Sequence, residues 1–190
     1  MNNKPFTYIV FNKPYGVLCQ FTDPLGRPTL SDYINVRGVY AAGRLDFDSE
    51  GLLFLTDDGG LNHLISDPKH KQPKTYWAQV EGIPAQTAIE KLGKGVLIGG
   101  KKTLPATIKK LPDDLAVWER SKPIRFRKNI PTSWLEITIR EGMNRQVRKM
   151  TAAAGYPCLR LIRVAIGPMK LGDLQPGEVR IIRPEMLYFL

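Results

Sequence analysis

Along the chain, the spacing of hydrophobic positions changes between strand-like and helix-like periods. The apolar runs Tyr8-Ile9-Val10-Phe11 and Leu52-Leu53-Phe54-Leu55-Thr56 predict two strands, the second buried. Apolar and polar residues alternate at 75–80, 134–139 and 159–164, as expected of half-covered strands, and 134–139 is the clearest of these. Leu61, Leu64 and Ile65 have helical spacing over 60–66. A second helix starts at Pro84 and runs through Leu92, with Gly93 and Gly95 as stop signals. Asn144 is positioned to cap a third helix reaching Ala154, where Gly155 and Pro157 end it. Residues 17–21, 39–42, 97–110 and 179–182 read as further strands, 29–35 as a short helix, and 184–190 as a closing helical turn with an apolar tail.

Between the strands at 39–42 and 52–56 lies the stretch Gly43-Arg44-Leu45-Asp46-Phe47-Asp48-Ser49-Glu50-Gly51, which crowds charges between two apolar runs. It reads as an active-site loop with Asp46 as the candidate group. A carboxylate between buried strands is partly desolvated and needs Arg44 or another cation to keep it ionised. The plain alternative is a set of turn residues that hydrogen-bond nearby backbone. On the third helix, Arg145, Arg148 and Lys149 fall within one turn, a repulsion tolerated where an anion faces them and otherwise a solvated helix end. Residues 119–128 carry Arg120, Lys122, Arg125, Arg127 and Lys128, which reads as an exposed arm or hairpin, or else a solvated face.

Composition narrows the function classes. A chain of 190 residues forms one domain, or two small lobes sharing a sheet. Its 28 Lys and Arg against 18 Asp and Glu give a net charge of +10, which points to a polyanionic partner, although positive charge also aids solubility. Nucleic acid fits better than membrane, because no basic amphipathic helix or lipidation signal is present. Residues 1–4 carry no signal sequence, and no apolar run approaches the roughly 20 residues of a membrane span, so the cytoplasm is expected. Cys19 and Cys158 are read as small buried apolar residues; His63 and His70 form no ligand motif with them, and no metal is expected. No internal repeat or linker divides the chain.

The order of residues from Gly43 to Gly59, Gly-Arg-Leu-Asp, a second Asp, Ser, Gly-Leu-Leu and then Leu-Thr-Asp-Asp-Gly, closely resembles the signature of RNA pseudouridine synthases of the RsuA-type ribosomal branch. Lys13-Pro14-Tyr15-Gly16-Val17 matches the family's opening motif, Lys74-Thr75-Tyr76 its Lys-x-Tyr motif, and Glu141-Gly142 through Gln146-Val147-Arg148 to Met150 its third motif. The resemblance implies an α+β fold, with a mixed, largely antiparallel central sheet flanked by helices in two sheet-sharing lobes. It implies that Asp46 is the essential catalytic residue, that Tyr76 lies against the target base and that Arg148 pairs with Asp46. Lys13, Arg44, Lys74, Asn144, Arg145, Lys149, Arg160 and Arg163, with Arg125, Arg127 and Lys128 of the arm, complete the expected RNA-binding set. Many relatives carry a small RNA-binding domain of the S4 type ahead of the catalytic domain. With the first strand beginning by Tyr8, a single catalytic domain over 1–190 without that addition is expected. That departure resembles the RluE branch, which modifies large-subunit (23S) ribosomal RNA; a monomer is expected.

The implied reaction breaks the C1′–N1 bond of a uridine and rejoins C1′ to C5, with no redox change and no cofactor. The uridine must first leave its stack. In a pocket, an ionised Asp46 can stabilise charge at C1′, attack it, or remove a neighbouring sugar proton. Two other classes stay open. A hydrolase pairing Asp46 with Asp48, Asp57 or Asp58 would release free uracil. A non-catalytic ribosome-binding or assembly module would need only the basic charge.

Overall fold

The computed structural model describes residues 5–70 and 72–187, so residues 188–190 of the expected closing tail and the opening residues 1–4 lie outside the described residues. In chain order the elements are β1 (Tyr8–Lys13), β2 (Tyr40–Ala42), β3 (Glu50–Thr56), α1 (Gly59–Ser66), β4 (Lys74–Glu81), α2 (Gln86–Gly93) and β5 (Leu97–Ile98). They continue with β6 (Lys101–Lys102), β7 (Thr107–Lys110), β8 (Thr132–Ile139), α3 (Gln146–Ala153), β9 (Cys158–Ile166), β10 (Met169–Lys170) and β11 (Val179–Ile181). One sheet runs β11-β1-β3-β9-β4-β8-β7, with β2 on β3 and β10 on β9, while β5 and β6 form a separate ribbon. Every named pairing is antiparallel except that of β3 with β9. The architecture is therefore the expected α+β one. Among the described residues, no helix is long and apolar enough to cross a membrane.

β1 and β3 are buried at every position because the sheet is covered on both faces. Successive side chains of a strand point to opposite faces, so Ile9, Phe11, Leu53 and Leu55 feed one core while Tyr8, Val10, Leu52 and Phe54 feed the other. The parallel contact of β3 with β9 joins the β1 side of the sheet to the β4–β8 side. There Gly51 stands opposite Arg163, with φ +101. A Cβ at Gly51 would lie 2.3 Å from the Arg163 carbonyl oxygen, so only glycine lets β9 come alongside. Beside it Arg160 makes a buried fork to Glu50, with Nε and Nη2 donating at 2.8 Å to separate carboxylate oxygens. Trp118 Nε1 donates to the same carboxylate at 2.9 Å.

Several expected elements came out differently. Residues 17–21 form no strand, because both edges of β1 are already taken by β3 and β11; only Leu18 bridges to Thr29. The helix over 29–35 shrinks to one 3-10 turn at Leu30–Asp32, held by the Thr29 N–H donating to the Asp32 carboxylate at 2.7 Å. The helix expected from Pro84 begins at Gln86. Asn144 does not cap α3: Arg145 takes that position in the left-handed region (φ 51), while the Asn144 side chain accepts from Lys149 Nζ at 3.1 Å.

Replacing Gly51 by Ala should therefore destabilise the protein by more than about 3 kcal/mol, a backbone clash at a positive-φ position being among the costliest single changes. A urea melt reads this, and an unchanged midpoint would contradict the close approach.

Candidate active site

The loop that carries Asp46 leaves β2 and returns as β3, and the fold pins it at both ends. Arg163 Nη2 donates to the Gly43 carbonyl at 2.8 Å and Nε to the Leu52 carbonyl at 2.8 Å. Within the loop, the Ser49 N–H donates to the Asp46 carbonyl at 3.1 Å, closing a tight turn. From outside, the Gly16 N–H donates to the Phe47 carbonyl at 2.9 Å. This last contact explains the opening Lys-Pro-Tyr-Gly stretch: it braces the loop, and its Lys13 does not reach solvent. Lys13 is fully buried, donates to the Pro14 and Val17 carbonyls, and burial lowers the pKa of its ammonium to about 8. It is not an RNA contact.

Two arginines reach the loop, Arg145 from just before α3 and Arg148 from within it, and it is Arg145, not the expected Arg148, that meets Asp46. Arg145 Nη1 lies 3.3 Å from Asp46 Oδ2, and its two terminal nitrogens fork onto Asp48 at 2.8 and 2.7 Å. Arg148 does not touch Asp46. Its Nη2 donates to the Asp48 carbonyl at 2.7 Å and lies 3.4 Å from the Asp48 carboxylate, while Nη1 meets the Cys158 carbonyl at 3.4 Å. The physical reason is the helix boundary: α3 starts at Gln146, so Arg145 precedes the first turn, half-exposed beside the loop, whereas Arg148 is largely buried beneath it. Burial pushes the Asp48 carboxyl up, but the Arg145 hydrogen bonds and the Arg148 charge outweigh this and leave it below its ordinary value. The Asp48 fork in turn holds the Arg145 guanidinium above its ordinary value.

A cavity of about 300 Å³ opens beside this pair, lined by Asp46, Tyr76, Arg145, Arg44, Lys74, Asn144 and Arg163 among others. Tyr76 comes from β4, where the register with β9 shifts between Thr75 and Tyr76. The extra residue there is Val164 of β9, while β4 keeps an unbroken register with β8, so the alternation of β4 places the buried Tyr76 on the core face with Ala78 and Val80, where its ring lines the cavity. Arg44 is exposed at the rim. Desolvation, reinforced by the Arg163 charge, lowers the Lys74 pKa.

The other expected RNA contacts lie elsewhere. Arg160 and Arg163 are buried in the seam on Glu50 and on the loop carbonyls, because β9 is an inner strand with both faces covered. Lys149 is exposed outside the cavity lining. The arm is irregular rather than a hairpin, and both Arg125 and Arg127 bind Glu81 at 2.7 Å. Glu81 is five residues beyond Tyr76 on β4, about 17 Å along the strand. Lys128 is exposed on that arm. Asp57 and Asp58 are at the far end of β3, where Asp57 accepts from the Thr7 N–H at 2.6 Å and Asp58 caps α1 through the Leu61 N–H at 3.0 Å. Neither is free to pair with Asp46.

A family model described as RNA pseudouridylate synthase matches residues 7–153, which include this loop, Tyr76 and both arginines. The chain belongs to that family. It is 58% identical over 175 residues to the ribosomal large subunit pseudouridine synthase E of Vibrio parahaemolyticus, covering 92% of this chain and 73% of that protein. To the protein of the same name from Xanthomonas campestris it is 54% identical over 175 residues, covering 91% of this chain and 94% of the relative. A crystal structure of a pseudouridylate synthase superposes with a TM-score of 0.82 at 30% identity, over 98% of this chain and 74% of that one. An H/ACA ribonucleoprotein bound to a substrate RNA containing 2′-deoxyuridine gives 0.57 at 15% identity, over 86% of this chain and 48% of that one, a likeness of fold alone.

In this pseudouridine synthase, the sequence reading missed Asp48 as the anchor of both arginines and Glu50 as the partner of Arg160. The available signal was charge alternation: carboxylates at 46, 48 and 50 call for several cations, more than Arg148 alone supplies.

The two arginines should separate in their effects. Arg145→Met, at a half-exposed pair, should leave the urea midpoint within about 1 kcal/mol but lower the single-turnover rate at saturating RNA at least about tenfold. Arg148→Met should lose about 2 kcal/mol of stability, since it removes a largely buried charged donor from the Asp48 carbonyl and carboxylate. The opposite order would contradict the assignment.

Proposed function

We propose that this pseudouridine synthase acts on a uridine of large-subunit ribosomal RNA, with Asp46 as its catalytic carboxylate and Tyr76 against the target base. The observation that carries this reading is the convergence of Asp46, Tyr76 and Arg145 on one cavity of about 300 Å³, a volume at the low end for small-ligand pockets and suited to a single extruded base. The names of the relatives from Vibrio and Xanthomonas support the large-subunit substrate. Ribosomal RNA as substrate makes the cytoplasm the working compartment.

As the C1′–N1 bond breaks, the ionised Asp46 carboxylate faces the positive charge developing at C1′. Arg145 orients that carboxylate and, through Asp48, is itself held in place. The freed uracil turns against the Tyr76 ring and C5 bonds to C1′; one proton then moves in net from C5 to N1, the Tyr76 hydroxyl giving its own proton to N1 as its oxygen takes the proton from C5. Atoms balance without a cofactor. Arg44, Lys74 and Asn144 at the rim hold flanking phosphates, and the arm of Arg125, Arg127 and Lys128 supplies outer contacts.

Purified protein incubated with large-subunit ribosomal RNA should form pseudouridine, read by base-resolved mapping, and Asp46→Asn should retain less than about a tenth of the rate, a barrier difference of roughly 1.4 kcal/mol, with RNA affinity nearly intact. Release of free uracil would favour the hydrolase. RNA binding without modification by the wild type would favour the assembly module.

A further inference from the structure

Both histidines of the chain fall at one place, the end of α1 and the turn after it. His63 is in the last turn of the helix, Asp67 is its C-cap, and His70 closes the 3-10 turn that follows. The backbone folds this segment back on itself: the Asp67 N–H donates to the His63 carbonyl at 2.9 Å and the His70 N–H to the Asp67 carbonyl at 3.1 Å. The three side chains therefore converge. One ligand atom from each lies within 4.8 Å of the others, and the two imidazoles meet edge to face at 5.8 Å between ring centres.

We propose that His63, Asp67 and His70 form a binding site for a divalent ion of the zinc class on the rim of the catalytic cavity. The distances carry this. Zinc bonds to imidazole nitrogen and carboxylate oxygen of roughly 2.0–2.2 Å, at a tetrahedral angle, set the two ligand atoms about 3.4 Å apart. His63 Nε2 and Asp67 Oδ2 already stand 3.3 Å apart. The third ligand closes from at most 4.8 Å by about 1.4 Å, which a rotation of the exposed His70 ring supplies.

Asp67 is prepared for the part, because the Lys69 N–H donates to its Oδ1 at 2.8 Å and leaves Oδ2 turned to the histidines. Such an outer hydrogen bond fixes the orientation of a ligating carboxylate. As a plain ion pair the His63–Asp67 contact contributes little, since the imidazole is 69% exposed. Two imidazoles with one carboxylate suit zinc, nickel or copper and not magnesium, which prefers six oxygens. Three protein ligands leave a coordination position for water, and Asp67 with the neighbouring Gln72 lines the cavity that holds Asp46.

Calorimetric titration of tag-free protein with zinc chloride, with magnesium chloride as control, tests this. One zinc ion per chain should bind at about 10 μM or tighter, and magnesium should give no heat. His63→Ala and His70→Ala should each weaken zinc binding at least about tenfold, or 1.4 kcal/mol, with unchanged circular dichroism. A Cys19→Ser, Cys158→Ser double variant should bind as the wild type does. Absence of zinc binding, equal binding by the histidine variants, or loss only in the cysteine variant would overturn the proposal.

Discussion

The geometry of the site depends on one buried guanidinium. Arg163 is almost fully buried in an inner strand, a position where charge survives only with strong hydrogen bonds. Its partners are the Gly43 and Leu52 carbonyls, which bracket the loop carrying Asp46, and each charged hydrogen bond is worth about 1.5–3 kcal/mol. The backbone of the same residue lies against Gly51, whose missing Cβ lets β3 and β9 pair in parallel. One residue thus fixes the sheet seam and both ends of the Asp46 loop. Asp46 gains a rigid base, although its own carboxylate remains partly open to the cavity.

Charge follows the same economy. Carboxylates at 46, 48 and 50 lie close along the chain and repel one another unless each has a cation. Arg145 serves Asp46 and Asp48, Arg148 serves Asp48 from beneath, and Arg160 serves Glu50 in the seam. The pairs grow more buried away from the cavity. Arg145, the outermost, is the one whose contacts a substrate can share, while Arg160 and Glu50 are sealed and hold the strands together.

Strong local patterns made much of this legible. The apolar runs of β1 and β3 and the alternation of β4, β8 and β9 gave these strands to within a few residues, because such periods are imposed by burial itself. The loop of Asp46 was likewise apparent from its crowded charges, whereas the cavity side of Tyr76 followed only from the family resemblance. What stayed hidden depended on tertiary partners. Arg145 and Arg148 share one face by spacing, and only the helix boundary, set by a left-handed Arg145, decides which meets Asp46. Arg160 and Arg163, three apart on a strand, belong to opposite faces, so both could not face RNA; that β9 is covered on both faces follows from its neighbours β3 and β4, not from its own sequence. Lys13 looks like a surface lysine until the turn around it closes.

The direct test of the loop bracket is Arg163→Lys, which keeps a charge but cannot span two carbonyls with a planar fork. Single-turnover rate at saturating RNA should be measured beside RNA affinity. If Arg163 fixes the loop, the rate should fall at least about tenfold, while affinity stays within about twofold. Weakened affinity, with the full rate restored at saturating RNA, would make Arg163 a phosphate contact and contradict the account.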